Sequence, residues 1–139
     1  MKDTLILRVF ALFVSVNGGF CYASVGDIGL GRVLQFNRDV RPILSDRCYT
    51  CHGPDAHSRK AKLRLDKRES VLGSHEAGAT IVPGKPELSE LVFRIESEED
   101  DELMPPPKFH KPLSPQEKKI LVRWIAEGAK YEKHWSFEQ

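Results

Sequence analysis

No run of 18 or more apolar residues occurs in the sequence, which argues against a transmembrane span. Charge of one sign is not in excess either. Twenty-one Lys and Arg face 20 Asp and Glu, for a formal net charge of +1. That balance lacks the basic surplus a general nucleic-acid binder needs to neutralise phosphates. Aromatic residues make up only 9%, much of it near the two ends. Two sulfur-bearing residues are scarce, with three cysteines and two methionines, so each one bears scrutiny. What remains is an ordinary soluble composition, 29% charged and 40% hydrophobic over 139 residues, enough for one domain. Ten glycines and nine prolines predict short elements joined by turns.

The N-terminus has the layout of an export signal. Lys2 and Arg8 precede the short apolar run Val9–Val16, and Asn17-Gly18-Gly19 breaks it. Cys21-Tyr22-Ala23 then places small residues where signal peptidase reads them, predicting cleavage after Ala23. A buried helix is the plain alternative, but the run is too short and abuts glycines. The expected organisation is a signal peptide at 1–23, a linker at 24–33, a main domain at 34–132 and a stub at 133–139. With 1–23 removed, 19 basic and 19 acidic residues remain, and Cys48 and Cys51 are the only cysteines left.

Those two cysteines stand in Cys48-Tyr49-Thr50-Cys51-His52. The C-x-x-C-H string is the attachment sequence of c-type haem. The spacing follows from the chemistry. Two thiols add across the two vinyl groups of one porphyrin edge, and the next residue offers its imidazole to the iron. Three plain readings compete. A thioredoxin-type pair lacks a surrounding βαβ pattern. A zinc site lacks a second Cys pair or close His pair, since His57 and His75 are poorly spaced. A simple disulfide is the third.

With Met1 removed, Met104 is the one methionine left. A lone methionine is usually a core gap-filler. This one lies in Leu103-Met104-Pro105-Pro106-Pro107, where three prolines fix φ and bias the segment toward polyproline II. A stiff loop suits a weak thioether–iron bond. Met104 is therefore the expected distal axial ligand opposite His52, with His110, His75 and His57 as rivals. His/Met ligation raises the reduction potential relative to bis-His.

The remaining pattern is a small helical cradle. Val40, Ile43 or Leu44, and Arg47 or Cys48 recur at helical spacing after Asn37, an expected N-cap, with the helix ending at Cys48 and Gly53-Pro54 barring continuation. Ala61–Asp66 alternates and predicts a short extended piece. Asp66 with Glu69 predicts a one- to two-turn helix up to Gly73. Residues 81–86 read as a turn, and 89–95 as a helix with Leu88, Leu91, Val92 and Ile95 on one face. Ser114-Pro115-Gln116-Glu117 is a capping box opening a last helix, whose stripe of Ile120, Leu121, Trp124 and Ile125 is expected to pack on the helix before Cys48.

These pieces resemble the cytochrome c domain of planctomycete proteins. The likeness runs from Phe36 through Trp135, on Asp39–Leu44, Cys48–Gly53, Leu63–Asp66, Ile81–Pro86, Met104–Pro107 and Trp124–Ala129. It implies an all-α, class I cytochrome-c-like fold of three to four short helices around one covalently bound haem c. It also implies His52 and Met104 as axial ligands, and with both axial positions filled electron transfer is expected rather than catalysis. Relatives of this kind commonly continue past a His-Trp-Ser/Ala-Phe segment into further domains, whereas His134-Trp135-Ser136-Phe137 lies two residues from the end of this sequence.

Three functions follow as expectations. The first is an exported, periplasmic mono-haem electron carrier, with no stable membrane span after signal cleavage and no nucleic-acid partner. Its partner is then a separate redox protein or missing C-terminal domains. The second is a truncated electron-transfer domain of a larger secreted enzyme. The third is a haem sensor or peroxidase, should Met104 not bind iron. Two charge runs flank the motifs, basic from His57 to Arg68 and acidic from Glu96 to Glu102. They read as solvated loops or as a dipolar surface that orients a redox partner. Arg64 or Arg94 is a candidate partner for a haem propionate.

Overall fold

The computed structural model describes residues 32–72, 74–75 and 78–133. The expected signal peptide, most of the expected linker, the side chain of His75 and the His134–Phe137 segment lie outside the described residues. From Val33 onward the described chain is one compact unit. Its elements are a π-helical turn at Phe36–Val40, α1 at Arg41–Arg47, α2 at Tyr49–His52, α3 at Arg68–Leu72, α4 at Glu90–Glu96 and α5 at Pro115–Ala126. Three-residue 3₁₀ turns occur at Pro86–Leu88 and Pro107–Phe109. A minimal antiparallel pair, β1 at Ser74–His75 and β2 at Gly78–Ala79, is in register Ser74↔Ala79 and His75↔Gly78. The fold is all-α apart from this pair.

The first helical segment differs from its periodicity. The chain opens as a wide turn in which Arg41 N–H reaches back five residues to the Phe36 carbonyl. It then tightens into α1, with Pro42 in the first turn. Pro42 has no N–H to offer the carbonyl four residues back, so the two geometries meet beside it. Asn37 is not the N-cap. Gln35 holds that position in extended conformation, without a side-chain cap. The orphan N–H groups of Phe36 and Asn37 are instead taken by the Glu132 carboxylate, at 3.2 and 3.1 Å. A helix start needs acceptors, and here they come from the far end of the chain.

The remaining elements follow their local signals closely. Ser114 and Glu117 form the reciprocal capping box, at 3.2 and 2.7 Å. Gly128 then takes φ +100 just past the end of α5, a backbone conformation that favours glycine. In α4, Leu91, Val92 and Ile95 are buried as the pattern requires, but Leu88 is 58% exposed, because the 3₁₀ turn before α4 carries it off that face. The turn at 82–85 closes with Lys85 N–H on the Val82 carbonyl. The buried Ser89 hydroxyl receives Val82 N–H and donates to the Lys85 carbonyl, each at 2.9 Å. Residues 61–66 are not a strand. Ala61 and Lys62 both adopt left-handed backbone, φ 52 and 54, and turn the chain. The next helix starts at Arg68, with Asp66 paired to Arg64 instead of capping it.

Val40, Leu44, Leu121 and Ile125 are fully buried, and Phe36 and Trp124 nearly so. The stripe of α5 therefore does pack on the segment leading to Cys48, chiefly through the wide turn. There Phe36 and Trp124 stand 5.7 Å apart, and Tyr131 joins them at 4.5 and 5.2 Å. Aromatic clusters at these separations add to the area they bury.

Candidate haem-attachment site

Cys48 closes α1, its N–H bonded to the Leu44 carbonyl at 2.9 Å. The chain does not leave the helix there. It makes one more turn, α2, in which Cys51 and His52 N–H both return to the Cys48 carbonyl, at 3.1 and 2.8 Å. This turn brings Cys48, Cys51 and His52 onto one short stretch of helix. Gly53 ends it in extended conformation. A Cβ at Gly53 would stand 2.3 Å from the Tyr49 carbonyl oxygen, so any side chain there would force backbone to move.

The loop that follows folds back along the turn and bonds four successive carbonyls. Lys60 N–H donates to Cys51 at 2.7 Å and Leu65 N–H to His52 at 2.8 Å. The Arg59 guanidinium reaches Gly53 at 3.1 Å and Pro54 at 2.6 Å. Arg59 belongs to the basic run that reads as solvent-facing charge. Its position in a charged string gave no signal of this bracing role.

Burial governs the chemistry of the motif. It pushes the Cys48 thiol up to about 12 against the opposing pull of Arg47, so the thiol stays protonated at neutral pH. Burial also pushes the Tyr49 phenol up to about 12. Burial lowers the pKa of His52, with the Lys60 backbone pulling the other way, so the imidazole favours its neutral, ligating form. Its Nδ1 is buried and lacks a hydrogen bond of ordinary geometry. Buried ring nitrogens are seldom left so. Cys48 and Cys51 are free thiols. Among the described residues, no group of three or more His, Cys, Asp and Glu is placed to hold a metal ion. Two thiols and an orphaned imidazole on one turn are the donor set a covalently held haem requires.

Met104 follows the acidic run and is half-buried. Its N–H donates to the Arg94 carbonyl at the end of α4, at 2.8 Å, which closes the acidic residues 96–102 into a loop. Pro106 has polyproline II dihedrals, φ −59 and ψ 140, but the chain then tightens into the 3₁₀ turn at Pro107–Phe109. The extended run of prolines is thus shorter than composition predicts. Lys111 pins the far end of the strap to Asp46 of α1, at 2.8 Å. Of the rival ligands, His57 and His110 are exposed. Arg64 is paired with Asp66, and Arg94 with Glu90 at 2.7 Å, so each already carries a carboxylate. No helix among the described residues is long and apolar enough to cross a membrane.

Residues 48–108 match a family model described as planctomycete cytochrome C. The match spans Cys48, Cys51, His52 and Met104, and is shorter at both ends than the stretch over which the sequence resembles that family. No curated protein and no solved structure matches the chain.

Proposed function

We propose, on the match of residues 48–108 to planctomycete cytochrome C, that the protein is an exported mono-haem c-type cytochrome that passes single electrons. Cys48 and Cys51 would hold one haem c through thioethers, and His52 and Met104 would supply its proximal and distal ligands. Bound there, the group would supply one-electron ferric/ferrous chemistry. The chain's own residues supply attachment, orientation and exclusion of water. The observation that carries this reading is the single turn presenting two free thiols and a half-buried imidazole whose buried Nδ1 lacks a hydrogen bond of ordinary geometry.

His52 is braced by the loop at 59–65. Met104 is the better candidate for the second axial position, being half-buried where His57 and His110 are exposed. With both axial positions filled by protein, no open site is left for a substrate, which suits electron transfer. The leader-like residues 1–23 agree with delivery to the periplasm, where haem is ligated and a partner redox protein is met.

The test is expression in a periplasm with haem-ligation machinery, followed by haem staining of a denaturing gel. The wild-type band should stain and the Cys48→Ala/Cys51→Ala double variant should not. A colourless wild type, with thiols free or bridged to each other, rejects the proposal. Met104→Ala should convert a low-spin ferric spectrum to a high-spin, ligand-binding one. An unchanged spectrum and potential would remove Met104 from the iron.

A further inference from the structure

Tyr131 lies 79 positions beyond His52, outside both the motif and the family match, yet two hydrogen bonds connect them. The Tyr131 hydroxyl donates to the Leu65 carbonyl at 3.0 Å. The N–H of the same Leu65 donates to the His52 carbonyl at 2.8 Å. We propose that Tyr131 is a positioning residue for the haem's proximal ligand: acting through Leu65, it fixes the backbone from which His52 presents its imidazole. This rests on the haem reading above, whereas the bridge itself does not.

The far anchor of the bridge is firm. Ala129 N–H returns to the Trp124 carbonyl at 2.9 Å, and the Trp124 indole N–H holds the Lys130 carbonyl at 3.0 Å. The Tyr131 ring is packed against Phe36 and Trp124. Burial raises the Tyr131 phenol well above its ordinary pKa, so the hydroxyl remains a donor over the working pH range. The near end bears on the ligand, because Leu65 is itself buried and shares His52 as its partner. A tyrosine serving packing alone would need only its ring. Here the hydroxyl makes the specific contact.

Tyr131→Phe keeps the ring and deletes only that contact. Glu132→Ala is the control, since it loosens the same segment where it meets Phe36 and Asn37 and leaves the hydroxyl in place. On the full-length holoprotein, Tyr131→Phe should speed amide exchange at Leu65 by about fivefold. It should also shift the reduction potential and the paramagnetic NMR resonances of the His52 ring. Glu132→Ala should leave those three readouts at wild-type values. Wild-type potential and His52 resonances in Tyr131→Phe would overturn the proposal, and so would an equal shift in Glu132→Ala. A wild type that takes up no haem rejects the proposed function and the ligand role with it. Leu65 exchange in that colourless protein still decides whether the bridge holds.

Discussion

The segment after the C-x-x-C-H turn, residues 53–65, and the strap that carries Met104, residues 104–111, are held in opposite ways. The first is laced to its turn through consecutive carbonyls from Cys51 to Pro54 and buries Leu65 to 4% exposure. The second is fixed mainly at its ends, by Met104 N–H on Arg94 and by Lys111 on Asp46. Between them it relies on three prolines and the short turn they start. A histidine ligand that must stay put gains from many backbone bonds. A thioether ligand on a strap depends on chain stiffness, which proline supplies without contacts. The comparison implies that perturbing the first loop costs global stability, while perturbing the strap is felt locally.

The largest effect should come from the laced side. Leu65→Ala removes a buried side chain beneath the turn and should destabilise the fold by about 2–4 kcal/mol, read from denaturant midpoints. A cost near zero would show that the loop is not part of the core.

A smaller effect belongs to the junction between the two loops, where Glu117 caps α5 and receives Arg47 at 3.0 Å, one residue before Cys48. Burial pushes the Glu117 carboxyl up, but bonds to Ser114 and the Arg47 charge outweigh it and hold the pKa below the ordinary value. A depressed pKa contributes stability above the unfolded carboxyl range, near about 4.3, that is lost as pH falls through the folded value. Glu117→Gln should therefore cost about 1 kcal/mol near neutrality, and the gap from wild type should close in acid. A gap independent of pH would refute this linkage.

Smaller again, Lys62→Gly should stabilise the protein by about 0.5–1 kcal/mol. It relieves a left-handed residue, offset in part by the freedom glycine adds to the unfolded chain. Destabilisation would mean that the Lys62 side chain does more than turn the chain. Least of all, Lys111→Met cuts an ion pair whose partners are both about half exposed and should leave the denaturation curve unchanged. Amide exchange across 108–112 should nevertheless rise. A global loss of stability would place the strap in the same class as the laced loop.

Much of this was legible in local patterns. The α5 cap needs only Ser114, Pro115 and Glu117 in order. The buried faces of α4 and α5 follow from a 3.6-residue period, and Leu88 departs from it because a 3₁₀ turn does not keep that period. The alternation at 61–66 misled, since two left-handed residues in succession carry no mark when they are Ala61 and Lys62. Asn37 misled for another reason. It has the right side chain for a cap, but the helical turn already opens at Phe36, and the Asn37 amide bonds Lys133 and Arg41 instead.

The sequence by itself determined the grouping of donors, because two thiols and an imidazole within five residues fall on one short helical turn. It also determined the one methionine that the strap offers. Only the tertiary structure decided how that turn is held: Arg59 on Gly53 and Pro54, Leu65 on His52, Tyr131 on Leu65, Glu132 on the first helical turn. Each of these bonds joins a backbone group, which is the same at every residue, to a partner outside its own helical turn. No pattern of neighbours announces such a pairing. It exists only once burial of the common core has brought the two ends of the domain together.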